Sequence, residues 1–197
     1  MTHQTIELSC PGCGARVTTS QSECMYCYNP IIISTFNSVY SMPMPEVNKC
    51  ASVYRKALVE NPDNHELNTS LAMCYLKLKL YDQASLAFEK AVEDNFDNSE
   101  VFFYAAICLM KGQKAFLAPR QNIDKSIEYV NAAIMIEPKG IYYYFLSYIK
   151  YDYFNRKYLN TTPTYQEVRQ TAVNTGVSDF DIEQLFLVLN VQKPECM

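Results

Sequence analysis

Two segments of the chain are near copies of each other: Tyr54-Arg55-Lys56-Ala57-Leu58-Val59-Glu60-Asn61-Pro62-Asp63-Asn64 and Phe88-Glu89-Lys90-Ala91-Val92-Glu93-Asp94-Asn95-Phe96-Asp97-Asn98. The second copy begins 34 residues after the first. Internal similarity at this period is typical of helical hairpins that stack in a row, each burying the apolar face of its neighbour. We therefore expect residues 46–157 to form such a row.

The central hairpin is predicted from helical spacing. Asn64 or Asp63 caps a first helix, and a second helix is expected over residues 81–94. Small residues where the two helices cross, beside a large aromatic residue, resemble the tetratricopeptide repeat: Ala72, Tyr75, Ala84, Phe88 and Ala91 match that pattern. The chain departs from it at Asn68, where the family usually has Trp, and at Phe96, where it usually has Pro.

The repeat pattern continues on both sides of this hairpin. Residues 46–60 correspond to a second repeat helix without its first. A further hairpin begins at Ser99, and its second helix is expected over 123–137, with about eight inserted residues, 114–121, forming a loop. A third unit opens with a helix over 142–157. Two last helices, at about 163–174 and 178–189, are expected to close the end of the row.

Four of the eight cysteines lie in two Cys-x-x-Cys pairs near the N-terminus: Cys10, Cys13, Cys24 and Cys27. Four thiolates at this spacing are the ligand set of a closed, structural Zn²⁺ site, one per chain. A redox dithiol needs a thioredoxin-like context, which is missing here. Short strands are expected at 6–8, 16–18 and 31–33. The CPGC…CMYC pattern resembles a zinc ribbon, but Tyr28 stands where that family usually has Gly.

The predicted fold class is mostly α, an α-solenoid of tetratricopeptide-like helix hairpins with a small N-terminal β zinc ribbon. The expected domains are the zinc ribbon at 1–35, a linker at 36–45, the repeats at 46–157, and capping helices with a tail at 158–197. Two Met-Pro steps make the linker extended. Phe36, Val39 and Tyr40 either dock it on the repeats or belong to a flexible tether.

Composition limits the classes of partner. The net charge is −4, and Arg16 is the only Lys or Arg before Lys49, so nucleic-acid binding through the ribbon is the weaker alternative function. No apolar run is long enough to span a membrane, and no secretory signal is present, so a cytoplasmic location is expected. No catalytic constellation is visible around His3 or His65, and the protein is predicted not to be an enzyme.

The resemblance to tetratricopeptide repeats implies a protein or peptide partner, and the first helices of successive repeats line the concave side of such arrays. The predicted groove residues are Thr69, Met73, Lys77, Phe103, Ile107, Met110, Lys111, Tyr143, Ser147 and Lys150. Their lysines suit an acidic peptide or a terminal carboxylate. Lysines are also common at helix C-termini because they suit the helix dipole, and the C-terminal helices are an alternative occupant of the groove.

The stripe formed by Tyr144, Tyr148 and Tyr151 has two interpretations. Residues at this spacing share one helix face, so the stripe either packs against the C-terminal helices or forms an aromatic platform for a ligand. Aromatic stripes at helical spacing are usually buried, which favours packing. Cys50, Cys74 and Cys108 occupy positions typical of small core residues and are expected to be inert.

Overall fold

The computed structural model describes residues 5–93 and 97–197. Three positions named in the sequence analysis lie outside these ranges. They are His3, Asp94, where the second repeat helix was predicted to end, and Phe96. The described chain forms two compact units, one within residues 5–93 and the other within 97–197. None of the helices in these two ranges combines the length and the apolar character needed to cross a membrane.

The first unit begins with a two-stranded antiparallel sheet. Strand β1 (Glu7–Ser9) pairs with β2 (Arg16–Thr18), with Leu8 opposite Val17. Four helices follow, α1 (Phe36–Tyr40), α2 (Met44–Glu60), α3 (His65–Lys77) and α4 (Tyr81–Val92). Helix α3 packs between α2 and α4.

The core of the α3–α4 hairpin follows the repeat pattern. The Asn64 side chain caps α3 by accepting a hydrogen bond from the Leu67 N–H at 2.9 Å. Ala72, Ala84 and Ala91 are fully buried, as is Phe88 beside them. Small side chains at these positions let the two helices approach closely, as predicted from the motif.

The regular elements in the described part of the second unit are all helical. It contains α5 (Ser99–Cys108), α6 (Arg120–Ile136), α7 (Gly140–Ile149), α8 (Tyr165–Asn174) and α9 (Asp179–Leu189). A 3-10 turn at Ala115–Leu117 precedes α6, and a π-helical turn at Lys150–Phe154 extends α7 into a further 3-10 turn at Asn155–Lys157. Helices α5 and α6 form one hairpin, while α8 and α9 both pack against α7. These elements confirm the predicted fold class, a mostly helical repeat protein with a small N-terminal sheet.

Four local predictions were wrong, and the first three concern residues 31–33, α6 and the linker. Residues 31–33 are not a strand: Pro30 makes a single bridge to Glu23, and the buried Ile31 and Ile33 lie in irregular chain. Helix α6 begins at Arg120 rather than at 123, because Pro119 ends the extended segment directly before it. The linker is not wholly extended, since α1 forms within it.

Helix α8 also begins later than expected. Its first residue is Tyr165, because Thr164 and Glu167 form a capping box that satisfies the first free N–H groups. This local hydrogen bonding fixes the start of the helix beyond Pro163. The short-range side-chain pair thus outweighs the preference of proline for the first helical turn.

Candidate metal centre and binding surface

The four predicted cysteine ligands come together in one cluster. The Sγ atoms of Cys10, Cys13, Cys24 and Cys27 all lie within 4.8 Å of one another. Cys10 Sγ is 3.5 Å from Cys27 Sγ, and Cys13 Sγ is 3.7 Å from Cys24 Sγ. Tetrahedral coordination with metal–sulfur bonds of about 2.3 Å requires sulfur–sulfur separations of about 3.8 Å. The donor set and its spacing therefore fit a tetrahedral metal ion.

Two equivalent backbone turns present the sulfur atoms. In the first, the Gly14 N–H donates to the Cys10 carbonyl at 2.9 Å and the Cys10 N–H to the Ala15 carbonyl at 2.7 Å. In the second, the Tyr28 N–H donates to the Cys24 carbonyl at 2.8 Å and the Cys24 N–H to the Asn29 carbonyl at 2.9 Å. The same turn made twice, with the cysteines at matching positions, brings two pairs of thiols to one centre.

The surroundings of Cys24 favour its thiolate, whereas those of Cys27 favour its thiol. The backbone N–H of Tyr26, followed by that of Cys27, stabilises the Cys24 thiolate and lowers the pKa of Cys24 to about 7. Gly12 leaves the room that the second turn needs, since a Cβ there would lie 2.3 Å from Asn29 Nδ2 and 3.0 Å from Cys27 Sγ. The two metal-binding turns are thus packed directly against each other.

Two buried hydrogen bonds join residues 10–33, which we call the metal module, to the repeat helices. The Tyr54 hydroxyl on α2 donates to the Ile31 carbonyl at 2.9 Å, and Ser70 Oγ on α3 accepts from the Ile33 N–H at 2.9 Å. Tyr54 and Ser70 are fully buried. Both contacts were missed by the sequence interpretation, although a serine among apolar residues of α3 is a signal that a polar backbone group lies opposite.

The predicted groove face of α3 is covered by the preceding segment of the same unit. Ser70 contacts Ile33, and Lys77 Nζ donates to the Tyr40 carbonyl at 2.7 Å while lying 4.5 Å from the centre of the Tyr40 ring. Residues seven apart share a helix face, and Met73 lies between them on it. Thr69 and Met73 are accordingly buried, and Lys77 is half-buried. Phe36 and Val39 are buried as well, so the linker docks on the repeat.

The groove residues predicted in the second unit differ in accessibility. Lys111 is exposed and Tyr143 is half-buried. The others are buried: Phe103, Ile107, Met110, Ser147 and Lys150. Phe103 packs against Tyr142 and Phe145, and Lys150 Nζ donates to the Pro163 carbonyl at 2.8 Å. The accessible members of the predicted set are thus Lys77, Lys111 and Tyr143.

The tyrosine stripe on α7 and its π-helical extension packs against the C-terminal helices. The rings of Tyr144 and Tyr148 meet Phe186 of α9 edge to face, at centroid distances of 6.5 and 5.2 Å, and Tyr151 meets Tyr165 of α8 at 5.1 Å. Tyr144 and Tyr148 are buried, which agrees with the favoured packing interpretation.

A buried carboxylate one turn beyond Tyr148 was also missed. Asp152 is 1% exposed, accepts a hydrogen bond from the Phe116 N–H at 2.8 Å, and pairs with Arg156 at 2.5 Å. The spacing of Tyr148, Asp152 and Arg156, each four residues apart, was the available signal. The pair fixes the 3-10 turn of the inserted segment against the π-helical turn.

Comparison with known families matches part of the chain. Residues 51–111 match the family model of the tetratricopeptide repeat. No curated protein gives a significant match. The matched range includes most of α2 and all of α3, and it contains the alanines at the helix crossings. Residues 51–111 of this chain are therefore similar to tetratricopeptide repeats, and a cluster of four cysteines at metal-binding distance precedes them.

Proposed function

We propose that this protein is a non-enzymatic adaptor that binds a protein or peptide partner through its repeat helices. The observation that carries the proposal is the tetratricopeptide repeat at residues 51–111, because such repeats are in general protein-interaction modules. The cytoplasm is the proposed location, and it is the compartment in which eight unpaired cysteines stay reduced.

The proposed ion in the cysteine cluster is Zn²⁺. Four thiolates form a closed tetrahedral shell with no open position for water or substrate, which is the arrangement of structural rather than catalytic zinc. Bound zinc would cross-link the two metal-binding turns. It would be held by Cys10, Cys13, Cys24 and Cys27. Its role is then to fix residues 10–33, whose far end is hydrogen-bonded to α2 and α3.

The proposed binding surface is the groove predicted from the repeat register. The accessible lysines of this groove are Lys77 and Lys111. Their positive charges suit a ligand with an acidic segment or a terminal carboxylate. Tyr143 offers a half-buried ring to an apolar side chain. On α3, a ligand reaches the buried Thr69 and Met73 only if the segment around α1 moves away, because that segment contacts the same face.

The test is capture of cross-linked partners from the native host, comparing wild type with Lys111→Glu/Tyr143→Ala. The expected result is a defined partner that wild type captures and the double variant loses. The matched control is Lys125→Glu on α6, which makes the same charge change away from the proposed surface and should keep the partner. Equal capture by the folded double variant would move the interface away from these residues and contradict the proposed surface.

A further inference from the structure

The second unit contains a cavity of about 440 Å³ that the proposed adaptor function does not use. Three parts of the unit form its walls: Lys114 in the inserted segment, the end of α7 with its π-helical turn, and residues 192–196 near the C-terminus. A volume of this size lies in the range of small-molecule sites. The cavity is therefore large enough for a ligand of nucleotide size.

Asp152 lines the cavity and is held by two partners. Its carboxylate is almost completely buried, pairs with Arg156, and accepts the Phe116 N–H from the inserted segment. Asp152 lies in the π-helical turn, and single π-helical turns within α-helices are frequent at functional sites. The insertion that interrupts the repeat pattern and the π-helical turn are thus joined at the cavity.

The charges around the cavity favour an anion. Lys114, Arg156 and Lys193 line it, against the two carboxylates of Asp152 and Glu195. Asp152 is already engaged by Arg156 and by the Phe116 N–H, so it offers little to a ligand. Among residues 5–93 and 97–197, no salt bridge involves Lys114 or Lys193. With Arg156 and Asp152 paired to each other, Lys114 and Lys193 lie against the single carboxylate of Glu195. This excess of one positive charge, in a chain with a net charge of −4, favours anionic ligands.

The remaining lining groups suit an organic ligand. The half-buried Tyr151 contributes aromatic surface, and Gln192 contributes an amide that donates and accepts hydrogen bonds. Lysine ammonium groups are among the contacts that proteins use for phosphate. From this arrangement we infer that the cavity is a binding site for a small phosphorylated molecule, with Lys114 and Lys193 contacting the phosphate.

Calorimetric titration of the full chain with adenosine monophosphate tests the inference, with inorganic phosphate and uncharged adenosine as separate arms. Adenosine monophosphate is expected to bind saturably, phosphate more weakly, and adenosine not at all. In Lys114→Gln/Lys193→Gln the affinity for adenosine monophosphate should fall at least tenfold. Both lysines are exposed, so the double variant is expected to fold normally.

Lys125→Gln on α6 is the matched control and should keep wild-type affinity. Amide chemical shifts measured during the same titration should change at Phe116 and at the Gln192 side chain, which line or adjoin the cavity. Failure of both phosphate and adenosine monophosphate to bind would overturn the inference, as would equal binding by the folded double variant. Neither result would affect the adaptor proposal, which rests on different residues.

Discussion

Gly14 and Tyr28 occupy the same position in the two metal-binding turns. Both have positive φ, +80° for Gly14 and 58° for Tyr28, and each donates its N–H to the carbonyl of the cysteine four residues before it. Glycine adopts this conformation without strain, whereas a residue with a Cβ does not. The Tyr28 side chain is 75% exposed and gains little packing in return. Tyr28 therefore strains a turn that glycine would form freely.

Replacing Tyr28 with Gly should stabilise the first unit. A non-glycine residue in the left-handed conformation costs about 1–2 kcal/mol, and glycine avoids this cost. Glycine also gives the unfolded chain more backbone entropy, which lowers the stability by about 0.5–1 kcal/mol. The free energy of unfolding, measured by urea titration of the metal-loaded protein, should rise by about 1 kcal/mol. Tyr26→Gly is the control: Tyr26 is similarly exposed at 69% but has no positive φ, so this variant should lose stability.

Purified protein should contain one zinc ion per chain, bound by the four clustered cysteines. Elemental analysis should give a ratio near one for wild type and for Cys108→Ser, which alters a buried cysteine in the other unit. Cys24→Ser should lower the zinc content and increase hydrogen exchange in residues 10–33, because a structural metal supplies much of the folding free energy of its module. Wild-type protein without stoichiometric zinc would contradict the assignment.

The sequence was sufficient to predict the features that depend on spacing. The two Cys-x-x-Cys pairs predicted the cluster of four thiols, and the 34-residue repeat predicted the buried positions of Ala72 and Ala84. These features are local, because a turn or a helix pair places each residue relative to near neighbours.

Features that depend on long-range pairing were not predictable in the same way. The run Ile31-Ile32-Ile33 has the composition of a strand, but its backbone groups pair with Tyr54 and Ser70 side chains rather than with another strand. The groove register was likewise read from the repeat alone, and nothing in that register shows that residues 33–40 lie on α3. Such contacts depend on which segments meet after the helices have formed.

Ala84→Leu should overpack the crossing of α3 and α4. Ala84 is fully buried against its neighbours, so the added carbon atoms force side-chain or backbone shifts that cost about 1–3 kcal/mol. Gln83→Leu introduces the same side chain at the adjacent exposed position and should change stability by less than about 0.5 kcal/mol. Thermal unfolding of both variants measures the difference. An unchanged melting temperature for Ala84→Leu would show that the helix crossing lies elsewhere.

Tyr54→Phe should weaken the junction between the metal module and the repeats. The substitution keeps the buried ring but leaves the Ile31 carbonyl without its hydrogen bond, at a cost of about 1–2 kcal/mol. Tyr158→Phe removes a hydroxyl from a side chain that is 95% exposed and should have no measurable effect. Chemical denaturation at neutral pH compares the two variants with wild type.

The same tyrosine should also make the stability of the first unit fall at alkaline pH. Burial raises the pKa of Tyr54 well above its ordinary value of 10.0, so the folded chain keeps a proton that the unfolded chain loses. The stabilisation is fully present below pH 10.0 and is lost as the pH rises towards the folded pKa. Between about pH 10.5 and 11.5 one such group lowers the unfolding free energy by about 1.4 kcal/mol per pH unit. The slope for Tyr54→Phe should be shallower by that amount, whereas parallel curves for Tyr54→Phe and wild type would show that Tyr54 ionises as readily in the folded chain as in the unfolded one.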